Sequence, residues 1–308
     1  MKSKSNLKKR RDINGILLLD KPLGLTSNSA LQKVKWLFHA AKAGHTGSLD
    51  PLATGMLPIC FGSGTKVSSF LLDADKRYLV TGEIGIATES GDAEGKVIQV
   101  NDNVTLHTAN VKDVLDSFIG HIEQIPPMYS ALRHKGRRLY ELAREGTEVD
   151  RVSREVTIYD IQLKDLTQTK FTIEVHCSKG TYIRTLIEDI SKALGTVGFV
   201  TKLRRLVVAP FSEDQMIKME CIEECSKLGT ESLDSLLCPV DSALTSWSSV
   251  QIDKNCCKQF CQGQSIKVGL SYKKSWVRVY SSKNEFIGMG EIRSKGQLIP
   301  RRIFSCTG

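Results

Sequence analysis

The sequence predicts an α+β fold in two units: a large unit that mixes strands with amphipathic helices, then a small all-β unit. Three observations carry this. Residues 156–166 and 171–177 alternate apolar and polar side chains, the period of half-buried antiparallel strands. Leu31, Val34, Leu37 and Phe38 fall at helical spacing, and so do Tyr182, Ile183, Leu186, Ile187, Ile190 and Leu194. From Val250 onward, short apolar runs alternate with glycine turn signals at Gly263, Gly269, Gly288 and Gly296, the pattern of a small β-barrel.

Taken in order, Lys2, Lys4, Lys8, Lys9, Arg10 and Arg11 read as a basic disordered arm over residues 1–12. Asn14-Gly15 turns into Ile16-Leu17-Leu18-Leu19, an apolar run suited to a buried strand. The first helix takes Thr26 or Ser27 as its cap. Residues 57–61 read as a strand, 65–72 as a short helix and 77–86 as a strand broken by glycines. Residues 88–95 form a polar loop, and Val111, Val114, Leu115 and Phe118 mark a helix that serves packing. Lys179-Gly180 leads into the helix patterned by Tyr182, and Gly195 ends it. Residues 203–208 read as an edge-to-core strand and 212–243 as helical and acidic, with Pro239 as a hinge. The division is then 1–12, 13–244 and 245–308.

Composition bounds the function classes. With 308 residues, 41% hydrophobic and 25% charged, the chain buries a large core. It has no run of 18 apolar residues and no apolar segment behind its basic start, so neither a membrane span nor a secretory signal is expected, and a cytoplasmic location is. Its nine cysteines lack framework spacing, which favours reduced thiols. Cys256, Cys257 and Cys261 form no Cys-x-x-Cys pair, and every histidine lies at or before His176, so zinc is not expected. Walker, Rossmann and His-Glu-x-x-His patterns are absent, which points to cofactor-free chemistry. The net charge is +9, with +5 in residues 1–12, +8 in residues 245–308 and −4 between them. Basic ends on an acidic middle suit contact with a polyanion.

One stretch concentrates chemistry: Gly44-His45-Thr46-Gly47-Ser48-Leu49-Asp50-Pro51-Leu52-Ala53-Thr54-Gly55-Met56-Leu57-Pro58. Its glycines allow unusual backbone angles, and Pro51 biases Asp50 away from helical geometry, so Asp50 falls on a shaped loop. Asp50-Pro51 equally reads as a helix start, with Asp50 as the cap. Apolar neighbours make the carboxylate costly without a compensating cation. Arg184 is the best candidate, although by pattern alone it is also a surface residue of an amphipathic helix. A lone His45 reads by itself as a packed residue.

The stretch 44–58, preceded by Lys21-Pro22-Leu23-Gly24-Leu25-Thr26-Ser27 and followed by Asp75-Lys76-Arg77-Tyr78, closely resembles the TruB family of tRNA pseudouridine synthases. Lys179-Gly180-Thr181-Tyr182-Ile183-Arg184 and Leu203-Arg204-Arg205-Leu206 continue the match in family order, over more than half of the chain. The similarity is to the bacterial, stand-alone branch, and residues 245–308 match more loosely. It implies the pseudouridine synthase fold, a central and mainly antiparallel sheet flanked by helices, with a C-terminal PUA-like β-barrel.

The resemblance also implies the chemistry. Asp50 becomes the nucleophile, attacking either the sugar carbon or the uracil ring of a flipped-out uridine at tRNA position 55 in the TΨC loop. Tyr78 stacks on the base and serves as a candidate for removing its proton, Arg184 keeps Asp50 ionised, Tyr182 and Leu203 wall the pocket, and His45 fills the space the base leaves. Residues 121–152 hold Arg133, Lys135, Arg137 and Arg138 around Tyr129 and Tyr140, a mixture that fits either a solvated face or an RNA face. In the family this insertion grips the tRNA arm. A monomer is expected, with the tRNA T arm as partner, no cofactor and no obligatory protein partner. A non-catalytic tRNA-binding or tRNA-folding protein and a guide-RNA-dependent synthase are the alternative readings.

Overall fold

The computed structural model describes residues 10–101, 105–269 and 275–304. A nine-stranded mixed sheet forms its centre. Eight strands follow the order Ile217–Lys218, Gly15–Lys21, Ala53–Phe61, Gly198–Val208, Lys76–Ile84, Lys170–Cys177, Arg154–Leu166 and Gly120–Gln124, and Ala43–His45 pairs beside Ala53–Phe61. Two pairings are parallel, Gly15–Lys21 with Ile217–Lys218 and Gly198–Val208 with Ala53–Phe61; the others are antiparallel.

The unbroken apolar run at 16–19 is explained by burial on both faces. Leu17 and Leu19 enter a core with the helices Ser27–Leu37, Thr108–Ser117 and Ile183–Ala193, whereas Ile16 and Leu18 meet Met56, Val67, Leu71 and Met289 on the other side. Met289 belongs to the C-terminal unit, so that unit covers the back of the sheet. An aromatic seam continues the contact: Phe70 lies 4.8 Å from Trp247, which lies 5.5 Å from Trp276.

The C-terminal unit is a five-stranded sheet in the order Ser248–Gln251, Ser275–Tyr280, Phe286–Ile292, Gln297–Ile303 and Ile266–Lys267, an open path among the described residues. The helix Lys254–Cys261 lays Phe260 against Gly288, where a Cβ would stand 2.9 Å from the ring. Asp253 caps that helix, its carboxylate accepting from the Asn255 and Cys256 amides at 2.8 Å.

Several boundaries differ from the sequence reading. Residues 203–208 end a central strand, not an edge strand, and the strand expected from 57 begins at Ala53. Residues 212–243 are not one helical stretch: they hold a 3-10 turn at Glu213–Gln215, the strand Ile217–Lys218, the helices Met219–Leu228 and Thr230–Asp234, and the start of a 3-10 turn at Val240–Leu244. The basic arm lies mostly outside the described residues; Arg11 pairs with Asp234, and its backbone bonds to His39 and Ala41. Among the described residues seven cysteines are free thiols, whereas Cys261 is disulfide-bonded, against the expectation of fully reduced thiols. No described helix is long and apolar enough to cross a membrane.

Candidate active site

Strand register assembles the site from distant segments. Leu203 stands beside Ala53 on one side and Val80 on the other, and Arg205 stands between Gly55 and Tyr78. The close approach needs glycine: at Gly55, φ is +96°, and a Cβ would lie 2.2 Å from the Arg205 carbonyl oxygen. No helix follows Asp50; a two-residue turn leads straight into Ala53–Phe61, so the helix-start reading of Asp50-Pro51 is overturned. Ser27, the first residue of its helix, pins the loop: its hydroxyl accepts from the Leu49 amide at 2.7 Å and donates to the Leu49 carbonyl at 3.0 Å. Ser27→Ala leaves that buried amide unpaired, so a loss of about 1–3 kcal/mol is expected in denaturant unfolding. Unchanged stability would mean that other contacts hold the loop.

Asp50 has found its cation. Arg184 Nε lies 3.2 Å from Asp50 Oδ2. The contact is made through Nε alone, because the rest of the guanidinium is engaged elsewhere. Nη1 donates to the Ser90 carbonyl at 2.8 Å and sits 3.5 Å from Asp92 Oδ2, and Nη2 donates to the Tyr129 carbonyl at 2.6 Å. The Arg184 side chain is 8% exposed and that of Asp92 only 4%, whereas 41% of Asp50 is accessible. The arrangement therefore presents one accessible carboxylate backed by a fixed guanidinium and a second, inaccessible acid. Asp92 is held in turn by the Ser90 hydroxyl at 2.5 Å and the Glu94 amide at 3.1 Å.

Burial strips enough water from Asp50 to push its pKa above the ordinary aspartate value; Arg184 and Lys21 oppose the rise and Asp92 adds to it. A raised carboxylate pKa lowers the ionised fraction at a given acidic pH. Any reaction that uses ionised Asp50 should thus lose rate, on acidification, at a higher pH than an ordinary aspartate would dictate. A single-turnover pH profile checks this, and an acid limb at or below the ordinary value would contradict it. Lys21 is fully buried beside this cluster, donating to the Pro22 and Leu25 carbonyls at 2.9 and 2.7 Å. Burial holds its pKa down to about 8, against the pull of Asp50 and Glu94.

The other residues singled out in the sequence divide into two groups. Tyr78 is buried on the strand next to Arg205, and burial raises its pKa while Arg205 opposes the rise. Tyr182 caps the Arg184 helix, and both of its backbone groups are taken by the Gln124 amide, at 3.0 and 3.3 Å. His45 is half-buried at the end of Ala43–His45, its Nδ1 buried without a partner among the described residues, and burial followed by Arg205 lowers its pKa. Leu203 is half-buried in line with Ala53. Arg133, Lys135, Arg137 and Arg138 form the second group, exposed on a hairpin of Arg133–His134 and Arg137–Arg138. Arg137 pairs with Glu145, and Arg138 and Arg144 lie over Tyr140. This segment touches the Asp50 cluster through the Tyr129 carbonyl on Arg184.

Sequence reasoning missed Asp92, Lys21, Gln124 and Arg205 as parts of the site. The available signals were an acid next to Gly91 and charged residues inside otherwise apolar strands. Among the described residues, no group of three or more His, Cys, Asp or Glu could hold a metal ion.

This architecture is the pseudouridine synthase fold. The chain superposes on a structure titled as an H/ACA RNP bound to a substrate RNA containing 2′-deoxyuridine with a TM-score of 0.72, at 22% identity, covering 94% of this chain and 85% of that one. A Cbf5-Nop10-Gar1 complex matches with a TM-score of 0.72 at 23% identity over the same shares. Family models match almost end to end: TruB family pseudouridylate synthase (N terminal domain) over 35–183, tRNA pseudouridylate synthase B C-terminal domain over 184–245, and Pseudouridine synthase II TruB, C-terminal, over 248–304. Curated relatives named tRNA pseudouridine synthase B are 48% identical in Nitrosococcus oceani, over 97% of both chains, and in Pseudomonas putida, over 96% of both. The chain belongs to the TruB family of pseudouridylate synthases.

Proposed function

We propose that this protein isomerises uridine to pseudouridine at position 55, in the TΨC loop of tRNA, acting alone and with Asp50 as the nucleophile. The observation that carries the reading is the Asp50–Arg184 contact of 3.2 Å, which leaves the carboxylate accessible while fixing it from behind. The reaction exchanges a sugar–nitrogen bond for a sugar–carbon bond, moves one ring proton and transfers no electrons, so it needs a nucleophile or charge stabiliser and a base. Asp50 supplies the first, at either the sugar carbon or the ring. Tyr78, buried beside it, stacks on the flipped base and takes the ring proton; Tyr182 and Leu203 wall the pocket. His45, neutral and with an unpartnered ring nitrogen, replaces the base in its stack.

In this reading residues 13–244 carry the chemistry, the insertion at 121–152 grips the T arm through Arg133, Lys135, Arg137 and Arg138, and residues 245–308 form a PUA-like RNA-binding unit. Action of the chain alone is favoured by 48% identity to tRNA pseudouridine synthase B of Nitrosococcus oceani over 97% of both chains. The test is pseudouridine mapping on an unmodified tRNA transcript incubated with the purified chain alone. Pseudouridine at position 55 is expected. Binding without modification would favour a tRNA-binding protein or a missing guide, and modification at another position would overturn the assignment.

A further inference from the structure

Among the described residues Arg205 is the largest fully buried side chain: 2% exposed, it pairs with no carboxylate among them. A buried guanidinium without a counter-ion is costly unless its donors are placed. Here they are placed on the catalytic loop, on both sides of Asp50. Nε donates to the Met56 carbonyl at 2.7 Å and Nη2 to the Gly47 carbonyl at 3.0 Å. Nη1 faces Gly47 so closely that a Cβ there would stand 3.3 Å away. On the opposite side, Tyr78 is the direct antiparallel neighbour of Arg205, so the two side chains share one face of the sheet.

Resting on the function proposed above, we infer that Arg205 is a positioning residue for the reaction: it clamps the Asp50 loop at Gly47 and Met56 and sets Tyr78 against the flipped base, with its unpaired charge facing the tyrosine. The strand pairing makes this geometry rigid, because Arg205 is locked between Gly55 and Tyr78. The same charge favours the ionised form of Tyr78. The other groups facing that hydroxyl, Cys177 from the neighbouring strand and Asp50 from the loop, act in the opposite direction.

The experiment compares wild type, Arg205→Lys and Arg205→Gln as full-length proteins on an unmodified tRNA transcript. It measures tRNA affinity, thermal midpoint and single-turnover rate across pH. Arg205→Gln should slow the chemical step by about 100-fold, as expected for misplaced reacting groups, while tRNA affinity changes less than about threefold. The limb of the pH profile that follows Tyr78 should move to higher pH, since a favourable positive charge has been removed, and Arg205→Lys should restore its position while recovering only part of the rate. A rate within threefold of wild type with an unmoved profile overturns the inference, and so does failure of both variants to fold, which would make Arg205 purely structural. Absence of activity in the wild type would instead overturn the proposed function, a separate outcome.

Discussion

Asp50→Asn should abolish pseudouridine formation, by on the order of 10⁴-fold or more in single turnover, while leaving tRNA binding nearly intact. Asparagine keeps the volume of aspartate and a carbonyl oxygen for Arg184 Nε, so the cleft keeps its shape. What it removes is the negative charge that a nucleophile needs. Because 41% of the Asp50 side chain is accessible, the fold does not depend on that charge, and the thermal midpoint should stay close to wild type. Rate and affinity measured on the same preparation separate the roles. If the variant modified tRNA within tenfold of the wild-type rate, Asp50 would not be the nucleophile.

Arg184→Met should cost both stability and rate. Its guanidinium lies between Asp50 and Asp92 and also serves the Ser90 and Tyr129 carbonyls. Methionine leaves Asp92, 4% exposed, without its cation, and breaking a buried pair from one side costs about 3–5 kcal/mol. Denaturant unfolding near neutral pH reads this loss. The residual activity carries a second signature. Arg184 lowers the Asp50 pKa, so removing it raises that pKa further, and the acid limb of the rate profile should move to higher pH. Arg184→Lys keeps a charge but not the planar fork that reaches four acceptors, so it should fall between the two. A variant as stable as wild type, with an unmoved limb, would show that Asp50 is held ionised by other groups, Lys21 first among them.

The Arg184 cluster also explains which parts of the site were legible in the sequence. Asp50 was readable because a lone acid in apolar company demands a cation, and Arg184 was the candidate on the best-patterned helix. Asp92 was not, since residues 88–95 have the composition of a solvated loop. In the structure that loop is bonded to the central strand, with Ala93 donating to the Val200 carbonyl and Val200 to the Gly91 carbonyl, each at 3.0 Å. This pairing carries Asp92 inward against Arg184. Likewise, residues 203–208 read as an edge-to-core strand, a pattern that does not tell Arg204 from Arg205. One of them does pair near the surface, Arg204 with Asp20 and Glu213.

By itself the sequence determined the α+β class, the alternating strands, the amphipathic helices and the loop that carries the key acid. Side-chain periodicity reports which face of an element is buried, and glycine and proline report where the backbone must turn. Tertiary structure alone decided that the strand carrying Arg205 lies between the segment that follows Asp50 and the strand of Tyr78. It also decided that one guanidinium joins Asp50, Asp92 and the Tyr129 carbonyl. These placements depend on hydrogen bonds between residues far apart in the chain, such as Arg205 to Met56 and Gly47. A buried polar group is tolerated only where distant backbone meets its donors, and local pattern holds no record of that meeting.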